Sequence, residues 1–342
     1  MLFRVFLFEI RYRLRHVSTH LFLAVLFWLP YLATMGASSR ISSVGRIGYP
    51  NSAYYTALLV TAFTALGALV VSALVGTAVY RDFEHRVHEL FFTTRLSKWS
   101  YLGGRFLGSF AVAVLIFSGM IFGIIAGATL PASGEEYRVP FRLDVYLQAF
   151  FLFLLPNLFL LSALFFVLGA LTRSLLAIYA QGVVLLVFYF LSLALASSFE
   201  NLWLSSLMDP IGMMAMRAET RYWTVTEQAY HLIPVTGYLF WNRLLWGGVA
   251  AGILAFGYRR FRFSTQPLAG VWRRPVRLDP GLPTLDRAAP EPLSFPNVQP
   301  RFDLAAQARQ LLVLVRVYFL QIIRSVPFLV IVGSGMVLLV AV

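Results

Sequence analysis

Apolar runs long enough to cross a bilayer, about 20 residues each, recur along this 342-residue chain. A backbone in hydrocarbon must satisfy its own hydrogen bonds, so each crossing is a helix or a strand of a closed barrel. The runs lack the period-2 alternation of barrel strands, which leaves helices. Six runs stand out, at 17–35, 52–80, 102–130, 145–171, 175–196 and 238–258. The expected fold class is therefore all-α: a polytopic helical membrane protein with a six-span half and the start of a second half. Composition agrees, with 59% hydrophobic residues, only 13% charged ones and a mean hydropathy of +0.75. A soluble chain of this length would instead form about two domains.

The net charge is +13, nearly all from arginine, since Lys98 is the only lysine. In a soluble protein such a balance would suggest nucleic acid. In a membrane protein it is the signature of cytoplasmic loops facing anionic lipid, so the expected partner is the bilayer and not nucleic acid. Alternate loops divide the 28 basic residues unequally: 21 fall in the set containing both chain ends and residues 80–106. The remaining seven are Arg40, Arg46, Arg138, Arg142, Arg217, Arg221 and Arg243. The bias places both ends in the cytoplasm. The absence of cysteine excludes disulfides, thiolate metal sites and thiol nucleophiles.

Residues 1–20 begin LFRVFLFEIRYRLRH from Leu2. Arg4, Arg11 and Arg15 share one helical face, and Phe3, Leu7, Ile10 and Leu14 fill another. That is the pattern of an amphipathic helix lying in the membrane interface. The basic region is too long and too patterned for a secretory leader. Residues 21–258 hold the six-span domain, in which Pro156 is expected to kink the fourth run. Residues 259–300 form a Pro-rich cytoplasmic linker, extended rather than packed. Over residues 301–342 the chain starts again: Leu314–Ile322 reads LVRVYFLQI, in register with LFRVFLFEI at Leu2–Ile10. A lead-in helix and an incomplete first span of a second membrane unit are expected there, so the chain reads as a fragment of a longer one.

The densest charge lies between the second and third runs, in YRDFEHRVHELFFTTRLSKWSYLGGRF from Tyr80 to Phe106. Val79, Phe83, Val87, Leu90 and Phe91 recur at helical spacing. Asp82–Arg86, Glu84–His88 and His85–Glu89 are i,i+4 pairs on the remaining surface. A short surface helix is expected to continue out of the second run, with Ser97 capping the next helix and Gly103 and Gly104 allowing close packing. His85, His88 and Glu89 do not follow the zincin order and have no evident third ligand, so no metal is expected. No Gly-rich phosphate loop and no Gly-x-Ser-x-Gly occur, and no histidine lies well inside a span. No catalytic constellation and no cofactor are expected. Ionisable groups within the spans, which would mark a proton or ion path, are almost lacking.

The same stretch resembles the loop between spans two and three in permeases of type 2 ATP-binding-cassette transporters. An acidic residue, a Glu-Leu-Phe, paired threonines, a basic residue and Gly-Arg follow in that order. Arg95 departs from the proline that usually follows the threonine pair. The segments Asp209-Pro210-Ile211-Gly212, Tyr222-Trp223-Thr224 and Asn242-Arg243-Leu244-Leu245-Trp246 resemble the long permeases whose two halves share one chain fused to a gluzincin aminopeptidase. The resemblance covers about residues 1–260. It implies a permease driven by a separate nucleotide-binding ATPase subunit, in a bacterial cytoplasmic membrane, paired with a second permease half in cis or as a homodimer. It further implies a coupling helix at about 81–96 that contacts the ATPase through Arg81, Asp82, Glu84, Arg86 and Glu89. The alternatives are a membrane anchor for a peptidase outside these residues, or a structural subunit of a larger membrane complex.

Overall fold

The computed structural model describes residues 1–40, 49–94, 96–129, 139–196, 202–263 and 310–317. Every element among them is helical, as backbone in hydrocarbon requires. The chain is an all-α polytopic membrane protein. The expected linker after residue 263, Arg95 and the expected first span of a second unit lie outside the described residues. Of the expected lead-in helix, residues 310–317 are helical.

A first helix, α1 (Leu2–Leu14), turns at Arg15 and His16 into α2 (Val17–Arg40). The second apolar run is not one straight helix. It forms α3 (Ala53–Leu66) and α4 (Ala68–Glu84), which meet at Gly67 with a bend of 51°. A Cβ at Gly67 would sit 2.6 Å from the Phe117 ring, so the bend brings backbone against an aromatic face that only glycine admits. Within α4 a π-helical turn spans Ser72–Gly76. Past the short α5 (His88–Thr93) comes the longest helix, α6 (Lys98–Thr129), whose first turn Ser97 caps by accepting from Ser100 N at 3.2 Å.

Helix α7 (Leu143–Thr172) carries Pro156 without a sharp break. A π-helical turn at Ala149–Leu154 lies just before the proline, where the ladder must open for a ring that has no N–H and crowds the preceding turn. The expected kink is thus spread over one widened turn. Arg173 ends α7 in the left-handed region, with φ of 50°, and α8 (Leu175–Ala196) follows. Three short helices, α9 (Leu202–Met208), α10 (Met213–Glu219) and α11 (Val225–Tyr230), lead to α12 (Gly237–Arg260). Among the described residues four helices are long and apolar enough to span a membrane, or five if the bent α3–α4 pair is one span.

Helix α6 is the spine. Its amino-terminal half packs on α1 and its remainder on α2, through glycines. A Cβ at Gly104 would lie 2.7 Å from Val5, one at Gly108 would lie 2.6 Å from Glu9, and one at Gly127 would lie 2.8 Å from the Tyr31 carbonyl. At Gly123 a Cβ would collide with the carbonyl of Phe27. Lipid tails are as apolar as leucine, so close backbone packing replaces the hydrophobic effect as the force between helices. The opposite side of α6 meets α7 through rings: Phe106 lies 5.3 Å from Phe166 and 6.2 Å from Phe159, both edge-on.

Candidate functional site

At the ends of α1, α4 and α6 the structure gathers charges that are far apart in sequence. Glu9 is fully buried. Its carboxylate accepts from Arg13 Nε at 2.6 Å, from Arg81 Nη2 at 2.9 Å, from Ser109 Oγ at 3.2 Å and from Arg105 Nη1. Arg105, 2% exposed, gives its other terminal nitrogen to Asp82 Oδ1 at 2.6 Å, and Tyr101 donates to Asp82 Oδ2 at 2.7 Å. Three guanidiniums thus share two carboxylates across three helices. Burial pushes the Glu9 carboxyl up, but Arg13, Arg105 and Arg81 together hold it below the usual carboxylate value. The rings of Tyr12 and Phe8 close one side, with Arg81 stacked 3.9 Å from the centre of Tyr12.

This cluster fixes the elbow between α4 and α6. The expected single surface helix is two pieces. Helix α4 ends at Glu84, Arg86 takes the left-handed region with φ of 56°, and α5 starts at His88. Asp82 turns to Arg105 and Tyr101, not to Arg86. The five residues expected on a contact surface therefore divide. Glu84, Arg86 and Glu89 are exposed, Arg81 is half-buried against Glu9, and Asp82 is buried. Leu90, expected on the apolar face, is 70% exposed at the elbow's tip. His88 is buried against the Phe83 ring and His85 is exposed, so the two do not form a pair. Among the described residues no group of three candidate ligands is placed to hold a metal.

The elbow also touches the turn between α7 and α8. Arg173 lays its guanidinium 3.9 Å above the Phe83 ring. Sequence reasoning missed this contact. It also missed Glu9 and Arg105, whose bond joins positions 96 residues apart. One signal was present: Glu9 is the only acidic residue before Asp82, set in a helix of arginines.

A second cluster sits at the other end of the bundle. Arg243 of α12 donates to the Asn157 side chain and to the Ile211 carbonyl, both at 2.6 Å. Asn242 donates to the carbonyls of Ser206 and Asp209, both at 2.7 Å. The Asp209 carboxylate accepts from the backbone of Ile211 and Met214. Gly212 has φ of 83°, and a Cβ there would collide with the Arg243 guanidinium. Thr224 and Glu227 form a reciprocal cap on α11. Asp209–Gly212 and Asn242–Arg243 thus meet in one clasp that ties α12 to α7.

A family model described as ABC-2 family transporter protein matches residues 37–215. No curated protein and no solved structure matches the chain.

Proposed function

The chain belongs to the ABC-2 transporter family, a multi-pass permease by family and by its apolar helices, and on that premise we propose that it moves a substrate across a bacterial cytoplasmic membrane with ATP hydrolysed by a separate subunit. The elbow at 81–96 is the coupling element, and both ends of the six-span unit face the cytoplasm. Glu84, Arg86 and Glu89 are the contact surface, while Arg81 and Asp82 transmit. The observation that carries this reading is the ion network. A force on α5 reaches α1, α4 and α6 together, because Glu9, Asp82 and Arg105 hold the three helices in one cluster. A second permease half, in cis or as another copy, completes the transporter.

Pull-down of the full-length protein tests the reading. Reversing charge at Glu84, Arg86 and Glu89 should release a nucleotide-binding subunit while the protein stays folded in the membrane. Undiminished binding of that subunit would sink the elbow's role. The resemblance of Asp209–Gly212, Tyr222–Thr224 and Asn242–Trp246 to peptidase-fused permeases supports a further reading, in which a metallopeptidase follows in the same polypeptide. A His-Glu-x-x-His helix downstream of Val342 is its test, and a full-length sequence without one removes it.

A further inference from the structure

Helix α1 has one acidic residue, and the fold hides it. Glu9 faces inward with no exposed surface, while Arg13, which pairs with it one turn along the helix, is buried at its side. What remains outside is cationic. Arg4, Arg11, Arg15 and His16 are exposed, and the guanidiniums of Arg4, Arg11 and Arg15 have no hydrogen-bond or ion-pair partner among the described residues. Together with Leu7, Phe8 and Tyr12 they line a groove of about 590 Å³. Phe3 and Phe8 are 68% and 52% exposed beside the arginines. The helix runs directly into α2, whose Val17 and Leu21 are 81% and 59% exposed.

We infer that this groove is a seat for the headgroup of an anionic phospholipid. The charge is complementary: unpaired guanidiniums at three positions on one face, with no exposed carboxylate on the helix to oppose them. Guanidinium matches phosphate through paired, charge-assisted hydrogen bonds. A soluble anion would account for the arginines only. The aromatic rings beside them, and the membrane span that continues from them, select a ligand with acyl chains. Arg4, Arg11 and Arg15 hold the phosphate and any further headgroup oxygens, Phe3 and Phe8 contact the upper acyl chain, and Glu9 is kept away from both. The seat lies next to the ion network, since Tyr12 both lines the groove and stacks on Arg81. The inference does not depend on an ATPase partner.

Titration of the detergent-solubilised full chain with dioctanoyl phosphatidylglycerol is the test, read as a saturable rise in the thermal unfolding midpoint. Replacing Arg4, Arg11 and Arg15 by Gln together should raise the half-saturating concentration about a hundredfold, and Arg11→Gln alone about fivefold. Should the triple variant fail to fold, the single one decides. Arg217→Gln, an exposed arginine elsewhere, should leave the titration unchanged. Equal response to dioctanoyl phosphatidylcholine would reduce the seat to apolar contact and overturn the proposal. So would an equal response to inorganic phosphate, or an Arg11→Gln titration that matches the parent.

Discussion

Glu9 is a hub with three guanidinium spokes, and the hub matters more than any spoke. Glu9→Gln leaves Arg13, Arg81 and Arg105 facing one another with Asp82 as the carboxylate that still pairs with the cluster among the described residues, so the expected loss is about 3–5 kcal/mol, the size seen when a buried pair loses one partner. Arg81→Gln leaves two arginines on Glu9 and should lose clearly less. Denaturant unfolding in detergent checks the order, and equal losses would count against the hub. The pH dependence has a definite sign. Because the folded-state value for Glu9 is lowered, its stabilisation is complete above the ordinary carboxylate value and disappears as pH falls below it. Acid should therefore close the gap between the parent and Glu9→Gln. Little of this was legible in the sequence. Hydrophobic periodicity shows which face of a helix is apolar, but not which charge on it pairs with a residue 96 positions away. In the match expected from the sequence between Leu314–Ile322 and Leu2–Ile10, Gln321 aligns with Glu9, the same exchange as the proposed variant.

Elements were more legible than residues, because lipid forces helices wherever apolar runs are long enough. Gly103 and Gly104 were expected to allow close packing, and Gly104 does so against Val5. The longer series at Gly108, Gly119, Gly123 and Gly127 carries the same message but sits inside a run where only hydropathy was read. These positions invite a contrast. Gly123→Ala drives a methyl into the backbone carbonyl of Phe27, which cannot rotate away. It should loosen α2 from α6 and lower the unfolding midpoint by several degrees. Gly247→Ala meets nothing within 4 Å and should be neutral or slightly stabilising, since alanine is the better helix former. Differential scanning fluorimetry of the two variants reads the difference, and a neutral Gly123→Ala would contradict the packing. Two details belong to this scale. The kink expected at Pro156 coincides with a widened turn in α7, and the elbow is the end of α4 followed by the short α5, because Asp82 bonds inward and Arg86 takes a left-handed turn.

For the whole molecule, the cysteine-free sequence offers a clean test of sidedness. Single cysteines at Glu84 and at Tyr222, the latter 86% exposed, should label differently with a membrane-impermeant maleimide in intact cells. Position 222 should react at once and position 84 only after permeabilisation. Labelling at both positions, or the reverse order, would invert the proposed topology. The bulk charge bias predicted this arrangement because arginines sort by side of the membrane regardless of the local fold. It could not predict the break in the second crossing. Gly67 is one glycine among 24, and only the nearby Phe117 ring gives it a special place. That 51° bend acts on direction. If the proposed coupling holds, an axial thrust on α4 would arrive at α3 partly turned sideways, so a piston stroke on one side of the bilayer would become a swing on the other.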